Sequence, residues 1–233
     1  MADTNEHIDI FDQPGDNGER LERIVNFSDA VVAIAITLLI IEIHPPELVS
    51  GTPTAQYLQE LLTLWPQLLS LLITFMVIGT YWSAHHHYFS FVRRYDRHLI
   101  RLNLSWLLCI VVLPIPTTIL GTSGNETVAV VIYATWMIIS SLSLWRIWLY
   151  ATRDHRLVDA DLDPRIIQYN TSRSLIPVSV FALSIAIAFL NPLVAMFSWF
   201  LIAPVSWVFR QYMTSRNRKR NGQPVAQQRL PHK

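Results

Sequence analysis

Few side chains in this 233-residue sequence could carry chemistry. One group is Arg23-Ile24-Val25-Asn26-Phe27-Ser28-Asp29, which leads into an apolar run interrupted by a single polar residue, Thr37, before Glu42. A carboxylate one or two turns inside a membrane helix costs several kcal/mol unless it is paired, hydrated or facing a water-filled cavity, so Asp29 is a functional candidate. The competing reading is a helix cap, in which Ser28 or Asp29 accepts from free backbone N–H groups and the membrane begins at Ala30. Arg23 and Asp29 lie on different faces of one helix, so each needs a partner on another element; a histidine donor near the cytoplasmic end of the second span is within reach of Asp29, because consecutive antiparallel spans bring those ends together. A second group is His85-His86-His87. Neighbouring helical residues point about 100° apart, whereas helical zinc pairs sit at i and i+4, so packing and hydrogen bonding are expected of this run rather than a metal site. One cysteine, Cys109, excludes an intrachain disulfide framework and a cysteine-based zinc site. With no Gly-rich phosphate loop, nucleophile elbow or dinucleotide fingerprint, no enzyme and no cofactor is expected.

The elements that position these residues follow from composition. Hydrophobic residues make up 52% of the chain and charged residues 15%, too few charges to cover a soluble globule, which points to a membrane protein. The N-terminal MADTNEHIDIFDQPGDNGE has acids where a secretory signal would be basic and apolar, so it should stay on the synthesis side. Six apolar runs have spanning length: Ile24 to Ile43, Leu61 to Ala84, Leu102 to Leu120, Val128 to Trp148, Leu175 to Leu190 and Leu193 to Phe209. The turn signal Asn191-Pro192 makes the last two a tight hairpin, and Pro114 and Pro116 should kink the third, with Thr117 and Thr118 available to the freed carbonyls. All 18 lysines and arginines fall in the N-terminal segment, after the second span, around the end of the fourth or in the C-terminal tail. Six spans with both termini cytoplasmic place every one of them on the inside. Glu42, Glu47, Glu60 and Glu126 then lie on the exterior side. The basic tail fits anionic lipid headgroups better than nucleic acid, so no nucleic-acid partner is expected.

At about 100° per residue, Ala30, Ile34, Thr37, Leu38 and Ile41 share roughly a quarter of the circumference of the first span. Facing lipid, Thr37 would be indifferent; facing other helices, it could bond its own carbonyl or a neighbour. Facing a pore, the aliphatics would form a narrow constriction that dewets, and the threonine would offer oxygens to a cation losing its water. One small bundle cannot enclose such a pore with one helix, so several copies around an axis would each contribute theirs.

Arg23-x-x-x-Phe27-Ser28-Asp29 followed by Ala-Val-Val-Ala-Ile-Ala-Ile-Thr-Leu-Leu resembles the signature of the transmembrane protein 175 potassium channel family. The segment "YWSAHHHYF" resembles that family's Trp-x-x-His-His-x-x-Phe, here Trp82, His85, His86 and Phe89, and "NLSWLLCIVVLPIPTTIL" resembles its third span. A single Phe-Ser-Asp motif resembles the bacterial single-repeat type, which implies a homotetramer in the plasma membrane conducting potassium ions. The resemblance implies that Ile34 forms the constriction, that Leu38 and Ile41 add hydrophobic layers and that Thr37 is the selectivity layer. It also implies a structural network of Arg23, Phe27, Ser28, Asp29 and Trp82 with His85 or His86; the departure is Ala30, where glycine is frequent. The expected fold is an all-α membrane protein of six transmembrane helices per subunit, with an oligomeric pore lined by the first. Its expected parts are a flexible acidic segment over 1–19, a channel domain over 20–210 and a flexible basic tail over 211–233. An ion-coupled secondary transporter and a non-conducting membrane scaffold are the alternatives; spans two to six offer no mid-membrane ionisable site for coupling.

Overall fold

A computed structural model describes residues 17–43, 45 and 53–220. The acidic segment over 1–16, Glu47 and residues from 221 onward lie outside the described residues. Among the described residues the chain is helical, with one isolated antiparallel bridge between Val92 and Val158. The helices are α1 Asn17–Leu38, α2 Thr54–Leu62, α3 Trp65–Phe89, α4 Arg97–Val111, α5 Pro114–Ser123, α6 Thr127–Thr152, α7 Pro164–Ala188, α8 Pro192–Ser198 and α9 Ile202–Arg220.

Among the described residues, five stretches are long and apolar enough to cross a bilayer: Thr54–Phe89, Arg97–Ser123, Thr127–His155, Pro164–Ala188 and Pro192–Met213. The 22-residue α1 is not one of them, since Glu22, Arg23 and Asp29 interrupt its apolar part.

Local chemistry explains where the helices start and break. Asp96 caps α4, its carboxylate accepting from Leu99 N at 2.7 Å, and Asp163 caps α7, accepting from Arg165 N at 2.8 Å. Asn191 accepts from Val194 N at 3.2 Å, and Pro192 opens α8, so Asn191-Pro192 forms the turn between α7 and α8. Pro114 and Pro116 cannot donate to the preceding turn, and the helix breaks between α4 and α5. Thr117 donates to the Leu113 carbonyl at 2.8 Å and Thr118 to that of Pro114 at 2.9 Å, back-bonds to their own helix, while the Ile110 and Val112 carbonyls, which the two prolines leave free, accept from Leu113 N and Ile115 N. Several boundaries differ from the hydropathy reading, three of them as follows. α1 stops at Leu38, with Ile41 and Ile43 held in i→i+3 turns to Leu38 and Ile40. α7 begins at Pro164, eleven residues before the expected Leu175, because a polar first half is no obstacle to a capped helix. α9 runs to Arg220, so the first ten residues of the expected flexible tail are helical.

The bundle is organised around α6, which packs on α4, α5 and α7, while α1 rests on α3 and α4 at one flank and α9 on α7 at the other. Trp106, Tyr133, Met137, Ile147, Trp148 and Phe181 are fully buried in the middle. Hydroxyls bridge the helices: Thr74 on α3 meets Thr117 on α5 and Tyr133 on α6, each at 2.9 Å. Tyr81 donates to the Met137 carbonyl at 2.9 Å and lies 2.8 Å from the Ser141 hydroxyl. In a medium without water such groups must find each other, so they set the rotation of one helix against the next.

The end of the bundle that carries the basic loops is tied together by charge. Arg93 Nε lies 3.0 Å from an Asp159 oxygen, and the Tyr150 hydroxyl donates to Asp96 Oδ2. Partial burial raises the Asp96 carboxyl, but donation from Tyr150 and from the Leu99 and His98 amides, together with the His98 charge, outweighs it and holds the group below the usual carboxylate range. A depressed folded-state value means that the ionised form stabilises the fold above the unfolded value of about 3.9. That stability is lost as pH falls through the folded value. Thermal unfolding in detergent from about pH 6 to about pH 3 should show a falling midpoint below about pH 4, and Asp96→Asn, which keeps the cap, should flatten that fall.

Candidate functional site

The first helix has two unlike faces. Ser28, Val32, Ala35 and Leu39 follow one another at intervals of four, three and four residues and are buried against α3 and α4. Ala30, Ile34, Thr37 and Leu38 lie on the opposite side and are turned away from the chain's own bundle. Ile34 is 59% exposed and Leu38 40%; Ile41, beyond the end of the helix, is 63% exposed. The Thr37 hydroxyl donates to the Ile34 carbonyl at 2.8 Å. Its single proton is thereby used, and what Thr37 presents outward is oxygen lone pairs.

The buried face is held by polar contacts. Ser28 donates to the Ile24 carbonyl at 2.8 Å and accepts from Asn103 Nδ2 at 2.8 Å. Asn103 Oδ1 accepts from His85 Nε2 at 2.9 Å, since an amide oxygen cannot donate, so His85 carries its proton on Nε2. The imidazole is sandwiched between Phe89, with ring centroids 4.3 Å apart, and Trp106, at 4.5 Å and 10° between planes. The result is a relay from α3 through α4 to α1 in which every donor points toward the first helix. One residue further on, Asp29 Oδ1 accepts from Trp82 Nε1 at 2.8 Å.

The structure brings together Ser28, Asp29, Trp82 and His85 in two neighbouring sets, and it corrects one pairing. The histidine expected to serve Asp29 serves Asn103 instead, and Asp29 is served by Trp82. The reason is rotational: Ser28 and Asp29 are about 100° apart on α1, so the hydroxyl looks toward α4 and the carboxylate toward α3. His86 is exposed, its ring 5.9 Å from that of Trp82. Arg23 and Phe27 are exposed and stand outside these hydrogen bonds. His87 faces another way, 3.3 Å from Asn170 Oδ1 on α7. The three histidines thus go to three different neighbourhoods. Asn103 is the residue that the sequence reading missed; its signal was a lone carboxamide within the apolar start of the third span.

Residues 23–114 match the family model described as endosomal/lysosomal potassium channel TMEM175. A potassium channel of Streptomyces collinus is 33% identical over 173 residues, 72% of this chain and 82% of that protein. One of Chamaesiphon minutus is 31% identical over 172 residues, 72% of this chain and 84% of that protein. The crystal structure of a lysosomal potassium-selective channel TMEM175 homolog from Chamaesiphon minutus superimposes with a TM-score of 0.70 at 27% identity, over 84% of this chain and 98% of that one. These are ion channels and not enzymes. The chain belongs to the TMEM175 potassium channel family.

Proposed function

We propose that four copies of this chain surround a potassium-permeable pore in the plasma membrane, with α1 of each subunit facing the axis. In this reading α1 is the sixth span. Six spans leave both termini on the cytoplasmic side with the basic loops. Ile34 forms the narrow hydrophobic ring, Leu38 and Ile41 continue it, and Thr37 adds a layer of oxygens between them.

The observation that carries the reading is the division of α1. One face is fixed to α3 and α4 by Ser28, Asp29 and close packing, while Ile34, Thr37 and Leu38 on the other are exposed. A helix anchored in this way from behind can present a constriction of defined radius. Thr37, with its proton given to Ile34, is arranged to accept a cation rather than to donate. No Thr-Val-Gly-Tyr-Gly filter occurs in the chain, so preference for potassium over sodium should be modest. The Arg23, Asp29, Trp82, Ser28 and His85 region has a supporting role, and no ion needs to touch it.

Flux through purified protein in liposomes tests this. Potassium should move down its gradient without proton coupling. Thr37→Ala should lower the potassium-to-sodium permeability ratio about threefold, or ~0.6 kcal/mol of differential barrier. Flux coupled to protons would favour a transporter, and a verified tetramer that passes no potassium would leave only the scaffold.

A further inference from the structure

A cavity of about 830 Å³ lies between α3, α6, α7 and α9, and no residue of α1 lines it. It occupies the end of the bundle that carries the basic loops, at the C-terminal half of α3 and the N-terminal half of α7. Among its lining side chains are three guanidiniums, Arg165, Arg173 and Arg210, against one carboxylate, Asp163.

The uncharged polar groups point the same way. Asn170 is 1% exposed; its Oδ1 accepts from His87 Nε2 at 3.3 Å, while its Nδ2 has no hydrogen-bond partner. Trp145 Nε1, on the α6 side, is also buried without a partner. Both unanswered groups are donors. A buried donor without an acceptor is costly, and two of them beside the Arg173 guanidinium call for an acceptor-rich anion. Part of the remaining wall is apolar, including Ala84, Leu144, Ile166 and Ile202, and part carries hydroxyls such as those of Thr80, Ser83 and Ser206. A ligand with an anionic head and an aliphatic body fits both parts of this wall, and a basic pocket between spans on the positive side suits such a headgroup.

We propose that this cavity is a site for a phosphate-bearing anion, its phosphate held by Arg173, Asn170 Nδ2 and Trp145 Nε1, of the kind carried by an anionic phospholipid. His87, which has no place in the anchors of α1, orients the Asn170 amide so that its N–H groups are left for the ligand. The site sits on the opposite face of α3 from Trp82 and His85, so one helix borders both the cavity and the seat of α1.

Thermal unfolding of delipidated protein in neutral detergent tests the site without any flux measurement. Phosphatidylglycerol should raise the unfolding midpoint by about 2–4 °C, increasing with concentration, and phosphatidylcholine should not. Arg173→Gln should remove at least half of the shift, as should Trp145→Phe, which deletes only an N–H from a ring of similar size. Arg153→Gln, at an exposed residue outside the cavity, should keep it whole. A shift with inorganic phosphate alone, sensitive to the same two substitutions, would uphold the site and assign it to free phosphate. Equal shifts with both lipids, no shift with any of the three probes, or a phosphatidylglycerol shift unchanged in folded Arg173→Gln and Trp145→Phe would overturn it.

Discussion

Ile34→Ala is expected to raise potassium flux through the reconstituted protein at least about tenfold, equivalent to removing about 1.4 kcal/mol from the barrier to permeation. Ile34 is 59% exposed on a helix whose other face is sealed against the bundle, and in a tetramer the four side chains would meet near the axis. A ring of branched aliphatics offers no oxygen to a dehydrated cation and is too apolar to hold water, so the barrier there consists mainly of lost hydration. Truncation to alanine widens the ring and lets water remain. Because Leu38, one turn on, is less exposed at 40%, Leu38→Ala should give a smaller increase. Leu183→Ala is the control, since α7 does not pack on α1 and Leu183 is exposed on it. Flux unchanged by Ile34→Ala in a verified tetramer would rule out this ring as the constriction.

Asn103→Leu is expected to destabilise the protein by about 2–3 kcal/mol, read from thermal or denaturant unfolding in detergent. The leucine removes both bonds of the relay at once. His85 Nε2–H is left in a dry sandwich between Phe89 and Trp106 with no acceptor, while Ser28 falls back on its bond to the Ile24 carbonyl. Ser28→Ala should cost less, about 1 kcal/mol, because it removes one acceptor and leaves the His85 to Asn103 bond intact. In a double-mutant cycle the two changes should be non-additive, since both remove the same Asn103 to Ser28 bond. Trp82→Phe acts on the other anchor and should cost about 1–2 kcal/mol by leaving Asp29 without its indole donor. If Asn103→Leu unfolded like the parent, the relay would not be what holds α1.

Much of the plan was legible because it rests on local rules. Too few charges for a soluble surface indicated a membrane protein. Asn191-Pro192 marked a turn because asparagine caps and proline starts a helix, and Pro114 with Pro116 marked a break because neither can donate to the turn before it. The stripe of Ile34, Thr37 and Leu38 could be drawn from the helical repeat alone, and the structure places it on one exposed face. All of these depend on residues within a few positions of one another.

What the sequence by itself determined, then, is membrane character, the breaks between helices and which face of α1 carries the aliphatics and the threonine. What only the tertiary structure decided is which side chains meet across helices. A carboxylate at position 29 announces that it needs a donor, but a tryptophan and two histidines stood within five residues on α3, and their choice depends on the rotation and depth of α3 against α1. Asn103 could not be placed with Ser28 and His85 until α4 was packed between them. The cavity is further still from the sequence, since its donors come from α6 and α7 and its guanidiniums from α7 and α9. Helix faces follow from a repeat within one element, whereas contacts follow from how several elements are turned against each other, and that is set by the packing of the whole bundle.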